Sequence, residues 1–145
     1  MPARPRILIL CTGNSARSQM AEGLFRQAAG DRYEVFSAGT KPGQVRPEAI
    51  AVMGEIGIDI SGHRSKSVDE FAGHEFDVVL TVCDNANASC PAFPGTSRRL
   101  HWPLEDPAAV TGTEEQRQAA FRAIRDQIQK RITDFLKEEE DLRTA

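Results

Sequence analysis

Cys11 and Arg17 stand at the two ends of a short loop in "RILILCTGNSARSQMAEG", with the spacing Cys-x5-Arg. A loop this short between a strand and a helix turns successive backbone N–H groups inward. The helix that follows adds its positive end, so the concavity suits a tetrahedral oxyanion. Thr12, Gly13, Asn14, Ser15, Ala16, Arg17 and Ser18 would line it. Gly13 and Asn14 tolerate the positive φ angles such a nest needs, and Arg17 supplies a planar fork for two oxygens of the anion. The same amides and guanidinium favour a thiolate at Cys11, which is a nucleophile, and Ser18 can donate a further hydrogen bond to its sulfur. The plainer alternative is an inert buried cysteine with an incidental arginine. Against it stands the coincidence of loop, arginine and helix start.

The elements that must carry this loop alternate. "RILILC" (6–11) is a continuous apolar run of strand length, which predicts a central strand buried on both faces. From Ser18 the positions Ala21, Leu24, Phe25 and Ala28 follow helical spacing, and Gly30 ends the pattern. "YEVFSAGT" (33–40) reads as a second strand. Pro47 suits a first helical position and Gly57 a C-terminal cap, with Ile50, Met53 and Ile56 on one face between them. "FDVVLTVC" (76–83) is a third strand, and "RRLHWPL" (98–104) a weaker fourth. Thr113 and Gln116 form a capping box, after which Phe121, Ile124, Ile128, Ile132 and Phe135 mark one face of a long last helix, with "KEEEDLRTA" as a solvated end. Strands alternating with helices predict a parallel sheet with ligands bound beyond the carboxyl ends of the strands, where Cys11 and Cys83 both fall.

Composition narrows the function classes. A chain of 145 residues, 40% hydrophobic, is expected to form a single domain over 1–145, and no repeat or long linker divides it. Its 18 basic and 21 acidic residues give a net charge of −3, with no cationic field for nucleic acid or anionic lipid. The basic start "MPARPRILIL" has an apolar run too short for a signal peptide, and no stretch would span a bilayer, so a cytoplasmic location and no membrane association are expected. Three cysteines in a reducing compartment argue for thiol chemistry or buried inert thiols rather than a disulfide framework. His63, His74 and His101 are scattered and make no cluster with the cysteines, so neither a catalytic metal nor a cofactor is expected.

"CTGNSARSQMAEG", "SAGT", "GIDISGHRSK", "TVCDNANASC" and "LEDPA" together resemble the low-molecular-weight tyrosine phosphatase superfamily, and within it the thioredoxin-coupled arsenate reductases, over nearly the whole chain. The resemblance implies an α/β fold of three layers, a four-stranded parallel sheet in the order 2-1-3-4 flanked by helices. It further implies Cys11 as nucleophile, Arg17 and the loop amides as oxyanion ligands, and Asp106 as general acid, a better choice than Glu105 although "EDP" is also a common turn start.

A phosphatase needs one thiol, whereas reduction of As(V) to As(III) takes two electrons, which thiols supply by ending as a disulfide. In the scheme the resemblance implies, Cys11 attacks arsenate, Cys83 attacks the Cys11 sulfur, and Cys90 attacks Cys83. The resulting Cys83–Cys90 disulfide is then reduced by thioredoxin. The six residues between them, "DNANAS", hold no bulky apolar anchor, so a refolding loop could bring their Cα atoms to the roughly 4.4–6.8 Å a disulfide requires. Arsenate is the expected substrate, with phosphate or sulfate as competing oxyanions, thioredoxin the partner, and a monomer the expected state. Ala108 and Ala109 stand where aryl-selective phosphatases carry an aromatic pair, which favours a small inorganic substrate. Open alternatives are a low-molecular-weight tyrosine phosphatase needing only Cys11, Arg17 and Asp106, and a non-catalytic arsenite-binding protein. Some members of the family also bind potassium through an Asn, a Glu, a Ser and an Asp. Asn14, Glu22 and Ser37 match, but Lys66 holds the place of the Asp, so activity insensitive to potassium is expected.

Overall fold

A computed structural model describes residues 4–83 and 98–144, with side chains described to residue 142. The chain runs β1 (Arg6–Cys11), α1 (Arg17–Ala29), β2 (Glu34–Gly39), α2 (Pro47–Gly54), β3 (Val78–Thr81), β4 (Arg98–His101) and α3 (Glu114–Thr144). Single 3-10 turns at Val68–Phe71 and Pro107–Ala109 punctuate the connections. The four strands are parallel in the order β2-β1-β3-β4, as the sequence resemblance implies. The register sets Cys11 beside Gly39 on β2 and Leu10 beside Thr81 on β3. Only a central strand can be apolar at every position, and Ile7, Leu8, Ile9 and Leu10 are each fully buried.

The helices cover the sheet through the faces their periodicity marks. Phe121, Ile124, Ile128, Ile132 and Phe135 of α3 are all buried. Each is worth roughly 1.5–3 kcal/mol of apolar transfer, so packing rather than helix propensity holds this long helix. Its start is the expected capping box: Gln116 N–H donates to Thr113 Oγ1 at 3.1 Å and Thr113 N–H to Gln116 Oε1 at 2.9 Å. Arg125 ties α3 to α2 by donating to the Val52 carbonyl at 2.8 Å and to Glu55 at 3.0 Å. On α1, Met20, Ala21, Leu24, Phe25 and Ala29 face the core, and Phe25 stacks on Trp102 and meets Phe135 edge-on.

Some expectations shift by a residue or two. Ala28 is exposed and Ala29 takes its place in the core. The helix from Pro47 stops at Gly54, and its buried positions are Ala49, Val52 and Met53 rather than Ile50, Met53 and Ile56. Gly57 closes it as the expected cap: at φ +80, a conformation L side chains rarely adopt, its own N–H reaches the Gly54 carbonyl at 3.1 Å and the Ile58 N–H reaches the Met53 carbonyl at 3.0 Å. The acidic tail continues α3 as helix, and Glu139 pairs with Arg98 on β4.

Candidate active site

The loop after β1 is shaped from outside. The carbonyls of Cys11, Thr12, Gly13 and Ser15 accept hydrogen bonds from the amides of Thr40, Lys41, Gly43 and Arg46 on the segment after β2. With successive carbonyls turned outward, the amides between them turn inward. Gly39 permits this close approach: a Cβ there would lie 2.5 Å from the Thr12 carbonyl oxygen and 2.8 Å from the Asn14 nitrogen. Of the two residues expected at positive φ, Asn14 alone adopts it, at φ 47. Gly13 stays at negative φ, and a Cβ on it would press the Ser15 hydroxyl at 3.1 Å. Ala16, the N-cap of α1, makes no capping side-chain bond, which leaves the helix's positive end to an anion.

Cys11 is buried at the head of this loop. Its Sγ accepts the Asn14 N–H at 3.2 Å and lies 2.8 Å from Ser18 Oγ. The direction of that last bond follows from the network behind it. Asn14 Oδ1 must face Lys66 N, at 2.9 Å, because a backbone N–H can only donate. Its Nδ2 therefore donates to Ser18 Oγ at 2.7 Å and Ser37 Oγ at 3.0 Å. Ser18, already accepting one proton there, turns its own toward the Cys11 sulfur, and Ser37 gives its own to Glu22 Oε1 at 2.7 Å.

Glu22 is nearly fully buried and is met by two cations and an imidazole: Arg26 Nη1 at 2.9 Å, Lys66 Nζ at 3.8 Å and His63 Nδ1 at 3.3 Å. Burial pushes the His63 imidazole below its ordinary value, with Arg26 and Lys66 acting the same way and Glu22 and Asp59 opposing. Burial likewise lowers the Lys66 ammonium, against the pull of Glu22. Gln19 completes the network. Its Nε2 donates toward the Asn14 carbonyl, Asn14 Oδ1 and the Arg64 carbonyl, all within 3.0 Å, and its Oε1 lies 2.9 Å from His63 Nδ1.

The opposite side of the loop is open. Arg17 Nη1 donates to the Leu104 carbonyl at 3.0 Å and its Nη2 lies 3.9 Å from Asp106 Oδ2, so its fork is partly committed to the 104–106 segment. Asp106 Oδ1 caps the turn that follows by accepting the Ala108 N–H at 2.9 Å, which leaves Oδ2 on the arginine side. Cys83, two residues beyond β3, is buried with its Sγ 3.3 Å from Thr12 Oγ1, a residue of the Cys11 loop itself. Neither Cys11 nor Cys83 is in a disulfide. Cys90, and with it the expected refolding segment after Cys83, lies outside the described residues.

Cys11, Thr12, Asn14, Arg17, Ser18, Cys83 and Asp106 thus converge at the carboxyl ends of β1 and β3. Gln19, His63 and Arg26 belong to the same network and were not anticipated. The only sequence signal for Gln19 is the run of polar residues at the buried start of α1, and His63 lies far from it in the chain.

The model of low molecular weight phosphotyrosine protein phosphatases matches residues 6–144. An arsenate reductase of Halalkalibacterium halodurans is 47% identical over 129 residues, covering 89% of this chain and 93% of that protein. Among solved structures, an arsenate reductase in oxidized state superimposes with a TM-score of 0.78 at 32% identity, over 92% of this chain and 97% of the other. A thioredoxin-dependent arsenate reductase from Corynebacterium glutamicum does so with a TM-score of 0.69 at 30% identity, over 93% of this chain and 61% of the other. Described helices offer no segment long and apolar enough to cross a membrane. With the Cys-x5-Arg loop on a 2-1-3-4 parallel sheet and these relatives, the chain belongs to the low molecular weight phosphotyrosine protein phosphatase family, with arsenate reductases among its near relatives.

Proposed function

We propose that this protein reduces arsenate to arsenite with thioredoxin as electron donor, as a monomeric cytoplasmic enzyme whose single domain spans residues 1–145. The observation that carries the reading is the second buried thiol, Cys83, held against Thr12 of the Cys11 loop at 3.3 Å. A phosphatase mechanism has no task for it. The inward amides of residues 12–18 and the remaining N–H groups of Arg17 bind the arsenate oxygens, and Ser18 and the Asn14 amide hold the Cys11 sulfur as thiolate.

The Cys11 thiolate attacks arsenic and Asp106 protonates the departing oxygen, which leaves as water. Cys83, as thiolate, then attacks the Cys11 sulfur. The As–S electron pair stays with arsenic, which is thereby reduced by two electrons and departs as arsenite. Cys90 attacks Cys83, Cys11 leaves as thiolate, and the oxidation rests in a Cys83–Cys90 disulfide that a thioredoxin dithiol reduces by exchange. Near relatives named as arsenate reductases, and a structural neighbour named as thioredoxin-dependent, support this reading.

Potassium does not fit the position beside the loop. Asn14, Ser37 and Glu22 do come together, but Glu22 already has the Arg26 guanidinium and the Lys66 ammonium around its single negative charge, so a further cation would meet net repulsion. The Lys66 ammonium stands in its stead.

The test is arsenate-dependent NADPH oxidation with thioredoxin and thioredoxin reductase, run with aryl-phosphate hydrolysis in parallel. Turnover that vanishes in Cys90→Ser while phosphate-ester hydrolysis persists supports the relay. Efficient hydrolysis in both proteins, with no arsenate turnover in wild type, makes the protein a phosphatase.

A further inference from the structure

Asn14 is the one residue other than glycine at positive φ among the described residues, and it sits in the middle of the anion loop. Asparagine accepts that conformation more readily than other L residues when its short side chain and its carbonyl are both hydrogen-bonded locally, so what holds those groups sets the loop. The Asn14 side-chain amide is shared among Ser18, Ser37 and Lys66, all of which set the side chain. A separate group holds its main-chain carbonyl. Gln19 Nε2 lies 3.0 Å from the Asn14 carbonyl oxygen, 2.9 Å from Asn14 Oδ1 and 2.9 Å from the Arg64 carbonyl oxygen.

All three partners are acceptors only, which orients the Gln19 amide: the nitrogen faces them and the oxygen faces His63. Its two protons serve three carbonyl oxygens. Gln19 is fully buried. His63 Nδ1 in turn carries its proton toward Gln19 Oε1, so the imidazole holds the amide in this orientation from behind.

From this geometry we infer that Gln19 is a positioning residue for oxyanion binding. By gathering the main-chain and side-chain carbonyls of Asn14 onto one amide and tying them to Arg64, it keeps Asn14 N–H on the Cys11 sulfur and the loop amides aimed inward. It touches neither the sulfur nor the anion. The inference rests on the reading of residues 12–18 as an oxyanion site, and it predicts that the residue sets affinity for the anion through the shape of the loop.

Two variants separate this from plain structural support. In Gln19→Met the shape is kept and both donors are lost. In Gln19→Glu the donors are replaced by a carboxylate that repels three carbonyl oxygens when ionised and regains one O–H donor when protonated. The probe is inorganic phosphate, titrated by NMR against the folded signals of each protein between pH 5 and 8. Wild type should bind phosphate throughout. Gln19→Met should bind about tenfold more weakly at every pH, the scale of one buried acceptor left unpaired. Gln19→Glu should show at least that loss at pH 8, and its ratio to wild type should recover as the pH falls. A structural role alone would not give that recovery. Phosphate binding within twofold of wild type in both variants overturns the role of Gln19 while leaving the loop reading intact, as does a Gln19→Glu deficit that does not change with pH. If wild type itself fails to bind phosphate, the loop is not an oxyanion site and both readings fall.

Discussion

On one flank of the Cys11 loop, Asn14, Ser18, Gln19, Ser37 and Glu22 are at most 2% exposed and bonded to one another in a continuous network. On the other, the Asp106 side chain is 47% exposed and stands 3.9 Å from Arg17. The buried flank fixes the sulfur, its hydrogen-bond donors and the inward amides before any substrate arrives, which is where preorganisation has most effect. The exposed flank places a carboxylate where it can meet both solvent and a departing oxygen. Substitutions on the two flanks should therefore fail differently, in stability and binding on the first and in rate on the second.

The largest contrast is expected from Asp106→Asn. The amide keeps the oxygen that caps Ala108, so unfolding by denaturant should change by less than about 0.5 kcal/mol. Loss of the acid should lower kcat by about 10²–10⁴. An unchanged kcat would remove Asp106 from the chemistry. Asn14→Ala should do the reverse of the stability result. It strips four side-chain hydrogen bonds from a buried residue held at φ 47, so an unfolding free energy lower by about 2–4 kcal/mol is expected. A loss below about 0.5 kcal/mol would mean that the flank is not the rigid side.

A smaller effect tests the charge balance around Glu22. His63 binds its proton less readily in the folded chain than at the ordinary value of 6.5, chiefly through burial. Below 6.5, and down to the folded-state value, the unfolded chain then binds more protons than the folded one. Stability accordingly rises with pH across that window and is lost as the pH falls through it. Replacing His63 by Gln should flatten this part of the stability profile. The opposite slope would show that Glu22 outweighs burial. Smallest of all, replacing sodium by potassium at fixed ionic strength should leave arsenate turnover unchanged, because Lys66 and Arg26 already surround Glu22.

The same two flanks differ in how far they could be read from the chain. Strand "RILILC", the Cys-x5-Arg loop and the α3 stripe were legible because continuous apolar runs and 3.6-residue spacing report burial directly. Gly57 was legible as the cap that closes on the Met53 and Gly54 carbonyls, although a glycine there does not say where the regular helix before it ends. Behind the loop, Gln19 and Glu22 are polar residues at the buried start of α1, and His63 and Lys66 come from a distant segment with no regular structure. Only the tertiary fold reveals that these charges and amides satisfy one another. Cys90 rests on the family resemblance and on its spacing from Cys83.

A single-turnover measurement without thioredoxin tests the three-thiol relay most directly. Fully reduced protein is mixed with excess arsenate, released arsenite is counted, and the protein is mapped by mass spectrometry. The account predicts one arsenite per chain, the loss of two hydrogens, and a disulfide joining Cys83 to Cys90, with none formed in Cys83→Ser. No arsenite from wild type, or arsenite released with equal yield from Cys83→Ser, would contradict it.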